Sequence, residues 1–178
     1  MRSRCFVAAL VAASVLCGGS ALAQQVTKEN VPGIRNLARL ETTVACAGAI
    51  TPESVVEVKK MGFMSVVNLR LASEDGANVE KEEAAAKAAG LRYFHVPYDG
   101  SADPRAAEAF LNAITTRGAE PAFIHCAGGN RAATMWLIKR VAVDHWDVDR
   151  ATKEATLLGQ SNPAMRQFAV DYAQAHKR

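Results

Sequence analysis

Residues 121–143, PAFIHCAGGNRAATMWLIKRVAV, set a short apolar run and a long one on either side of a small, glycine-containing link. PAFIH reads as a buried strand, and from Arg131 the chain reads as a helix with apolar residues on most of its faces. Such a helix lies deep in a fold. The link between them, Cys126 to Asn130, is therefore held at both ends by the core, and whatever Cys126 does, it does from a fixed place.

The rest of the chain repeats this alternation with regular punctuation. TPESVVEVKKMG opens with Thr51 as the helix cap and Pro52 at the first helical position, and stops at Gly62. FMSVVNL follows as a strand. NVEKEEAAAKAAG is helical by its Ala, Glu and Lys content and ends at Gly90. LRYFHVP is the next strand, and DPRAAEAFLNAITTRG repeats the cap logic with Asp103, Pro104 and Gly118. Two further helices, DVDRATKEATLLG and NPAMRQFAVDYAQAH, complete the chain, the second opened by Asn162 and Pro163. Strands alternating with helices predict an α/β fold with a mainly parallel central sheet flanked by helices. Ligands of such sheets bind at the carboxyl ends of the strands, where Cys126 stands.

The N-terminus has a different character. MRSR is basic, CFVAALVAASVLCGGS is apolar and small, and ALA before QQ fits a cleavage site. Residues 1–23 are expected to be a signal peptide cut after Ala23, and residues 24–178 a single domain that is periplasmic or secreted. No second apolar run reaches the ~18 residues that span a bilayer, so no membrane contact is expected after cleavage. The net charge of +3 includes Arg2 and Arg4 of the leader; without them it is +1. A near-neutral domain argues against a nucleic-acid partner held by bulk charge. Cys5 and Cys17 leave with the leader, and Cys46 and Cys126 are too few for a disulfide framework or a four-cysteine metal site. No metal and no cofactor is expected.

Around Cys126 the chemistry converges on an anion. The sulfur faces the start of a helix, whose first N–H groups are unpaired and carry partial positive charge. Gly128 and Gly129 let backbone N–H groups turn inward, and Arg131 adds a planar fork suited to two oxygens. The same features favour the thiolate over the thiol. A phosphate or sulfur oxyanion would sit above a nucleophilic sulfur.

His-Cys-x-x-Gly-x-Arg resembles the phosphate-binding loop of the cysteine-dependent protein phosphatases. With VPGIRNLARL, TPESVVEVKKMGFMSVVNLR and GLRYFHVPYDG preceding it in order, the chain is most similar to the bacterial dual-specificity-like group with a short Cys-x4-Arg loop, the beta-lactamase hydrolase-like phosphatases. The resemblance implies a cysteine-phosphatase fold, a phosphorylated protein or small molecule as substrate, and a phosphocysteine intermediate. It implies Cys126 as nucleophile, Arg131 as phosphate clamp, and Ala127, Gly128, Gly129 and Asn130 as the backbone cradle. His125 would tune the cysteine and hold the loop.

The sequence departs from that pattern twice. Four residues separate Cys126 from Arg131 where the usual loop has five, and four is also the rhodanese spacing. A sulfurtransferase using a Cys126 persulfide is the alternative, and a non-catalytic oxyanion-binding module a third. Ala132 and Ala133 stand where many such phosphatases carry Ser or Thr, leaving Thr134, one turn along, either to substitute or to pack. The acid that protonates the leaving oxygen is sought in VPYDGSADP. Asp99 is the candidate, or else an Asp-Gly turn residue; Asp103 before Pro104 reads as a cap. Arg70 either lines the pocket or is a solvated strand end. His95, His145 and His176 have no motif context. Cys46 reads as a small buried hydrophobe, with a reversible bond to Cys126 as the sharper alternative.

Overall fold

A computed structural model describes residues 25–178; the expected signal peptide, residues 1–23, lies outside them. The chain begins with an antiparallel hairpin, β1 (Val26–Val31) and β2 (Ile34–Leu40), and continues antiparallel into β3 (Val44–Ala47). After a 3-10 turn at Pro52–Ser54 come α1 (Val55–Lys60), β4 (Ser65–Asn68), α2 (Val79–Ala88), β5 (Arg92–His95) and α3 (Pro104–Ile114). The strand expected at PAFIH is β6 (Ala122–His125), followed by α4 (Asn130–Ala142), α5 (Val148–Leu157) and α6 (Pro163–Ala175). The strand order is β1-β2-β3-β6-β4-β5, and β3, β6, β4 and β5 run parallel. The sheet is thus parallel where it carries Cys126, with an antiparallel edge that the sequence did not announce.

Every residue of β3, β4 and β6 is buried. Strands covered on both faces lose the polar alternation of a half-exposed sheet, which is why each reads as a plain apolar run. Their side chains still alternate. Ala122 and Ile124 join Val44, Cys46 and Val67 in the core against α3, α4, α5 and α6, whereas Phe123 joins Ala45, Ala47 and Val66 against α1 and α2. The helix ends follow local chemistry. Asp103 accepts the Arg105 N–H at 2.9 Å, and Asn162 those of Ala164 and Met165, as caps should. Thr51 occupies the cap position without a side-chain bond; the Ser54 hydroxyl instead donates to Thr51 O at 2.8 Å and Gly33 O at 3.1 Å. Gly33 itself cannot be replaced cheaply, since its φ is +79° and a Cβ there would stand 2.8 Å from Ser54 Cβ.

From Ala132 to Ala142 every residue of α4 is buried, as its apolar faces predicted. The polar side chains of this buried stretch are partnered: Trp136 Nε1 donates to Glu154 at 2.7 Å, and Arg140 Nε to the same carboxylate at 2.7 Å. Lys139 and Arg140 lie over the Trp136 ring, 4.8 and 4.5 Å from its centre. Replacing Trp136 with Ala removes the largest fully buried side chain of the fold. It should cost about 3–5 kcal/mol of stability, read as a lowered denaturant midpoint with the transition still cooperative.

Candidate active site

β6 delivers its last residues to opposite faces of the sheet. His125 points toward α2, where its Nε2 meets Glu82 at 2.7 Å, both side chains almost wholly buried. Its Nδ1 has no hydrogen-bond partner. Glu82 also lies near Tyr93, whose hydroxyl accepts from Asn68 Nδ2 at 2.9 Å. Burial first, and then the Glu82 charge, push the Tyr93 phenol well above its ordinary value.

Cys126 leaves the strand on the other face, its N–H bonded to Ala47 O at 3.2 Å. The sulfur accepts the Gly129 N–H at 3.1 Å. Gly129 is the N-cap of α4 with φ +102°, so the sulfur faces the positive pole of the helix. Asn130 opens the helix, its Nδ2 donating to Ser161 Oγ at 2.7 Å. Thr134 donates its hydroxyl to Asn130 O at 2.9 Å. That back-bond to its own helix commits the hydroxyl away from the sulfur, so Thr134 packs.

Arg131 is held by a group the sequence reading missed. Its Nη1 donates to Glu74 Oε1 and to Tyr98 O, each at 2.6 Å, and its Nη2 to Glu74 Oε2 at 2.9 Å. Glu74 thereby takes the end of the guanidinium, and the edge carrying Nε and the outer Nη2 hydrogen remains to meet an anion. Glu74 also accepts from the Leu71 N–H at 3.0 Å and from Arg70 Nε at 3.2 Å. Arg131, then the Leu71 and Arg70 bonds, outweigh burial and lower the Glu74 carboxyl to about 2. Burial works against the Arg131 charge, but Glu74 and Cys126 outweigh it and raise its pKa. Arg70 is neither a pocket wall nor a solvated strand end: it is buried and closes its own loop by donating to Glu74, Asp75 O and Gly76 O.

Cys126, Gly128, Asn130, Arg131 and Asp99 share one open cavity of about 450 Å³, walled on its apolar sides by Leu71 and Met165. Asp99 is fully exposed at its rim, and its Oδ1 accepts the Ser101 N–H at 2.8 Å. The bonds from Ser101 hold its carboxyl below the usual value. Asp103 serves its helix instead. His95 bonds Arg70 O, and His176 stacks on Tyr172 with ring centres 4.2 Å apart.

Cys46 and Cys126 are both free thiols. Cys46 pairs in register with Ile124, two residues before Cys126. Adjacent-strand spacing and rise then separate the two Cα atoms by ~8 Å, beyond the ~7 Å limit for a disulfide. Burial, and then the neighbouring Cys126, push the Cys46 thiol up. Among the described residues, no group of three or more His, Cys, Asp or Glu is placed to hold a metal ion, and no helix is long and apolar enough to cross a membrane.

The Glu74 anchor has a measurable signature. A carboxyl at about 2 in the fold, against an ordinary 4.5, contributes stability above pH 4.5 that is lost as the pH falls toward 2. Glu74→Gln should flatten that part of the acid unfolding curve, followed by circular dichroism, and should weaken oxyanion binding as Arg131 loses its orientation.

Comparison with known proteins identifies the family and the fold. The family model described as beta-lactamase hydrolase-like protein, phosphatase-like domain, matches residues 36–143. A beta-lactamase hydrolase-like protein of Agrobacterium fabrum is 31% identical over 105 residues, covering 56% of this chain and 24% of that protein. One from Xylella fastidiosa is 32% identical over 102 residues, covering 55% and 23%. The chain thus spans about a quarter of the length of these relatives. Among solved structures, P. aeruginosa TpbA superposes with a TM-score of 0.60 at 21% identity, covering 86% of this chain and 91% of that one. Tk-PTP in its active form gives 0.64 at 19%, covering 82% and 99%. At these identities the likeness concerns the fold, which is that of the cysteine phosphatases. With its match running through the sheet, the Cys126 loop and α4, over more than half of the sequence, the chain belongs to the family of the beta-lactamase hydrolase-like phosphatase domains.

Proposed function

We propose that this chain is a metal-independent phosphomonoester hydrolase of the tyrosine and dual-specificity type, acting through a phosphocysteine. The observation that carries the reading is the Gly129 N–H at 3.1 Å from the Cys126 sulfur, with Arg131 in the same cavity. A sulfur held by an inward N–H at a helix start is a nucleophile already facing an oxyanion site. The phosphatase-like family favours this over sulfur transfer or a silent binding module.

In the first step the Cys126 thiolate attacks phosphorus, the ester P–O bond breaks, and the leaving oxygen takes a proton from Asp99. Loop amides and the remaining edge of Arg131 bind the other phosphate oxygens. The bonds from Ser101 hold the Asp99 carboxyl low, and a phosphate arriving beside it raises its proton affinity by like-charge repulsion. In the second step water attacks phosphorus, gives a proton to Asp99, and the S–P bond breaks to return the thiolate. TpbA has been crystallised with pTyr. Together with the apolar walls at Leu71 and Met165, that precedent favours an aryl phosphate, carried on a protein or a small molecule. Residues 1–23 direct export, and residues 24–178 act as one domain in the periplasm or outside the cell.

Cys126→Ser should abolish release of phosphate while keeping the fold and vanadate binding, and Arg131→Lys should also be severe because an ammonium lacks the two-pronged edge. Thiocyanate production from thiosulfate and cyanide, with no phosphate release, would overturn the reading. Asp99→Asn should slow phenyl phosphate hydrolysis by ~10²-fold, and p-nitrophenyl phosphate less. Because Thr134 is committed to Asn130 O and Ala132 and Ala133 offer no hydroxyl, breakdown of the phosphocysteine should limit turnover. Rapid-quench kinetics should then show a stoichiometric burst of p-nitrophenol.

A further inference from the structure

The direction of the amides in the phosphate loop is not set by the loop itself. Gly128 and Gly129 have no Cβ to choose between the two faces of a peptide, and a Cβ built at Gly128 would meet nothing within 4 Å. Something outside the loop must turn these peptides. The carbonyls of Ala127 and Gly128 are tied to distant segments of the chain. Ala127 O accepts the Ala49 N–H at 3.1 Å, and Gly128 O accepts Asn36 Nδ2 at 3.1 Å from 92 residues away.

Asn36 is placed for this contact at a cost. The register of β2 against β1 shifts opposite the Glu29–Val31 segment, and at that break Asn36 takes φ +50°. This is the left-handed region, which Asn tolerates better than most residues, and bulges of this kind re-aim a side chain. The neighbouring backbone is pinned to the segment after β3, with Arg35 N–H on Ala49 O at 3.0 Å and Gly48 N–H on Arg35 O at 2.7 Å. The kink is therefore built into the sheet, and the carboxamide ends on the loop.

A trans peptide is planar, with its C=O and N–H pointing in opposite directions. A Gly128 carbonyl held outward by Asn36 leaves the N–H of that same peptide, which belongs to Gly129, pointing inward. That N–H is the one 3.1 Å from the Cys126 sulfur. We propose that Asn36 is a positioning residue of this site, a latch whose bond to the Gly128 carbonyl aims the Gly129 N–H at the Cys126 sulfur and at any oxyanion bound above it. Its effect on turnover rests on the phosphatase reading; its effect on the sulfur does not.

The test is Asn36→Gly, which accepts the left-handed backbone and deletes only the amide, beside Asn36→Asp, which keeps the shape but sets a carboxylate against the carbonyl. Three measurements are made on each: thermal unfolding, the rate of Cys126 alkylation by iodoacetamide against pH, resolved by peptide mass spectrometry, and vanadate affinity. The expected result is retained folding with alkylation at neutral pH slowed and vanadate weakened, each roughly threefold to tenfold, the worth of one hydrogen bond. The alkylation profile should move to higher pH, and Asp should be at least as damaging as Gly. Wild-type alkylation and vanadate affinity in a folded variant would overturn the latch, even if turnover fell. Should the Gly variant not fold, the Asp variant decides on the same readouts. Failure of phosphate release in the wild-type protein would count against the phosphatase reading alone, since the alkylation comparison needs no substrate.

Discussion

The period of two along β6 governs this site. A strand buried on both faces must send consecutive side chains into different cores. His125 therefore belongs to the layer of α1 and α2, and the chain that follows Cys126 belongs to the layer of α4. The buried His125–Glu82 pair and the Cys126–Gly129 contact are separated by the sheet and joined by one peptide bond. Everything else at the site refers to this division. Arg131 comes from the α4 side, its counter-ion Glu74 from the loop after β4, and the carbonyl anchors from β2 and from the segment after β3.

The arrangement distributes charge sparingly. Arg131 is paired with a carboxylate of the protein itself, so the cavity does not hold an isolated guanidinium. Glu74 is shared in turn with Arg70. Such a pair costs desolvation and fixes direction, a common use of partly buried ions. What the anchor secures is an edge: two donors in one plane, facing the space above the sulfur.

Much of this was legible because it is local. The burial of α4, the strand before it, the caps at Asp103 and Asn162, and the convergence of a cysteine, two glycines and an arginine all follow from neighbours in sequence. The hairpin β1–β2 was not, because the kink at Asn36 breaks the alternation that would have marked β2. Glu74 sits four residues after Arg70, a spacing that reads as a surface pair, and nothing nearby points to Arg131. Glu82 lies in a run of glutamates that reads as a solvated face. The one sign of burial was its place four residues before Ala86, on the same ridge of α2. Partners drawn together from remote segments leave no period to read, and for that reason Cys126, its glycines and Arg131 were visible while the groups that hold them were not.

One property of α4 reaches further than packing. A helix buried from Ala132 to Ala142 cannot slide or tilt without disturbing the core, and its first turn carries Asn130 and Arg131 of the Cys126 loop. The ordering of the Cys126 loop is then completed when the protein folds, before any ligand arrives. Binding has little loop entropy left to lose, and the association of an oxyanion should proceed with almost no change in protein heat capacity. The same rigidity would make the loop a poor adapter, so on the proposed reading discrimination among substrates falls to the exposed rim around Asp99.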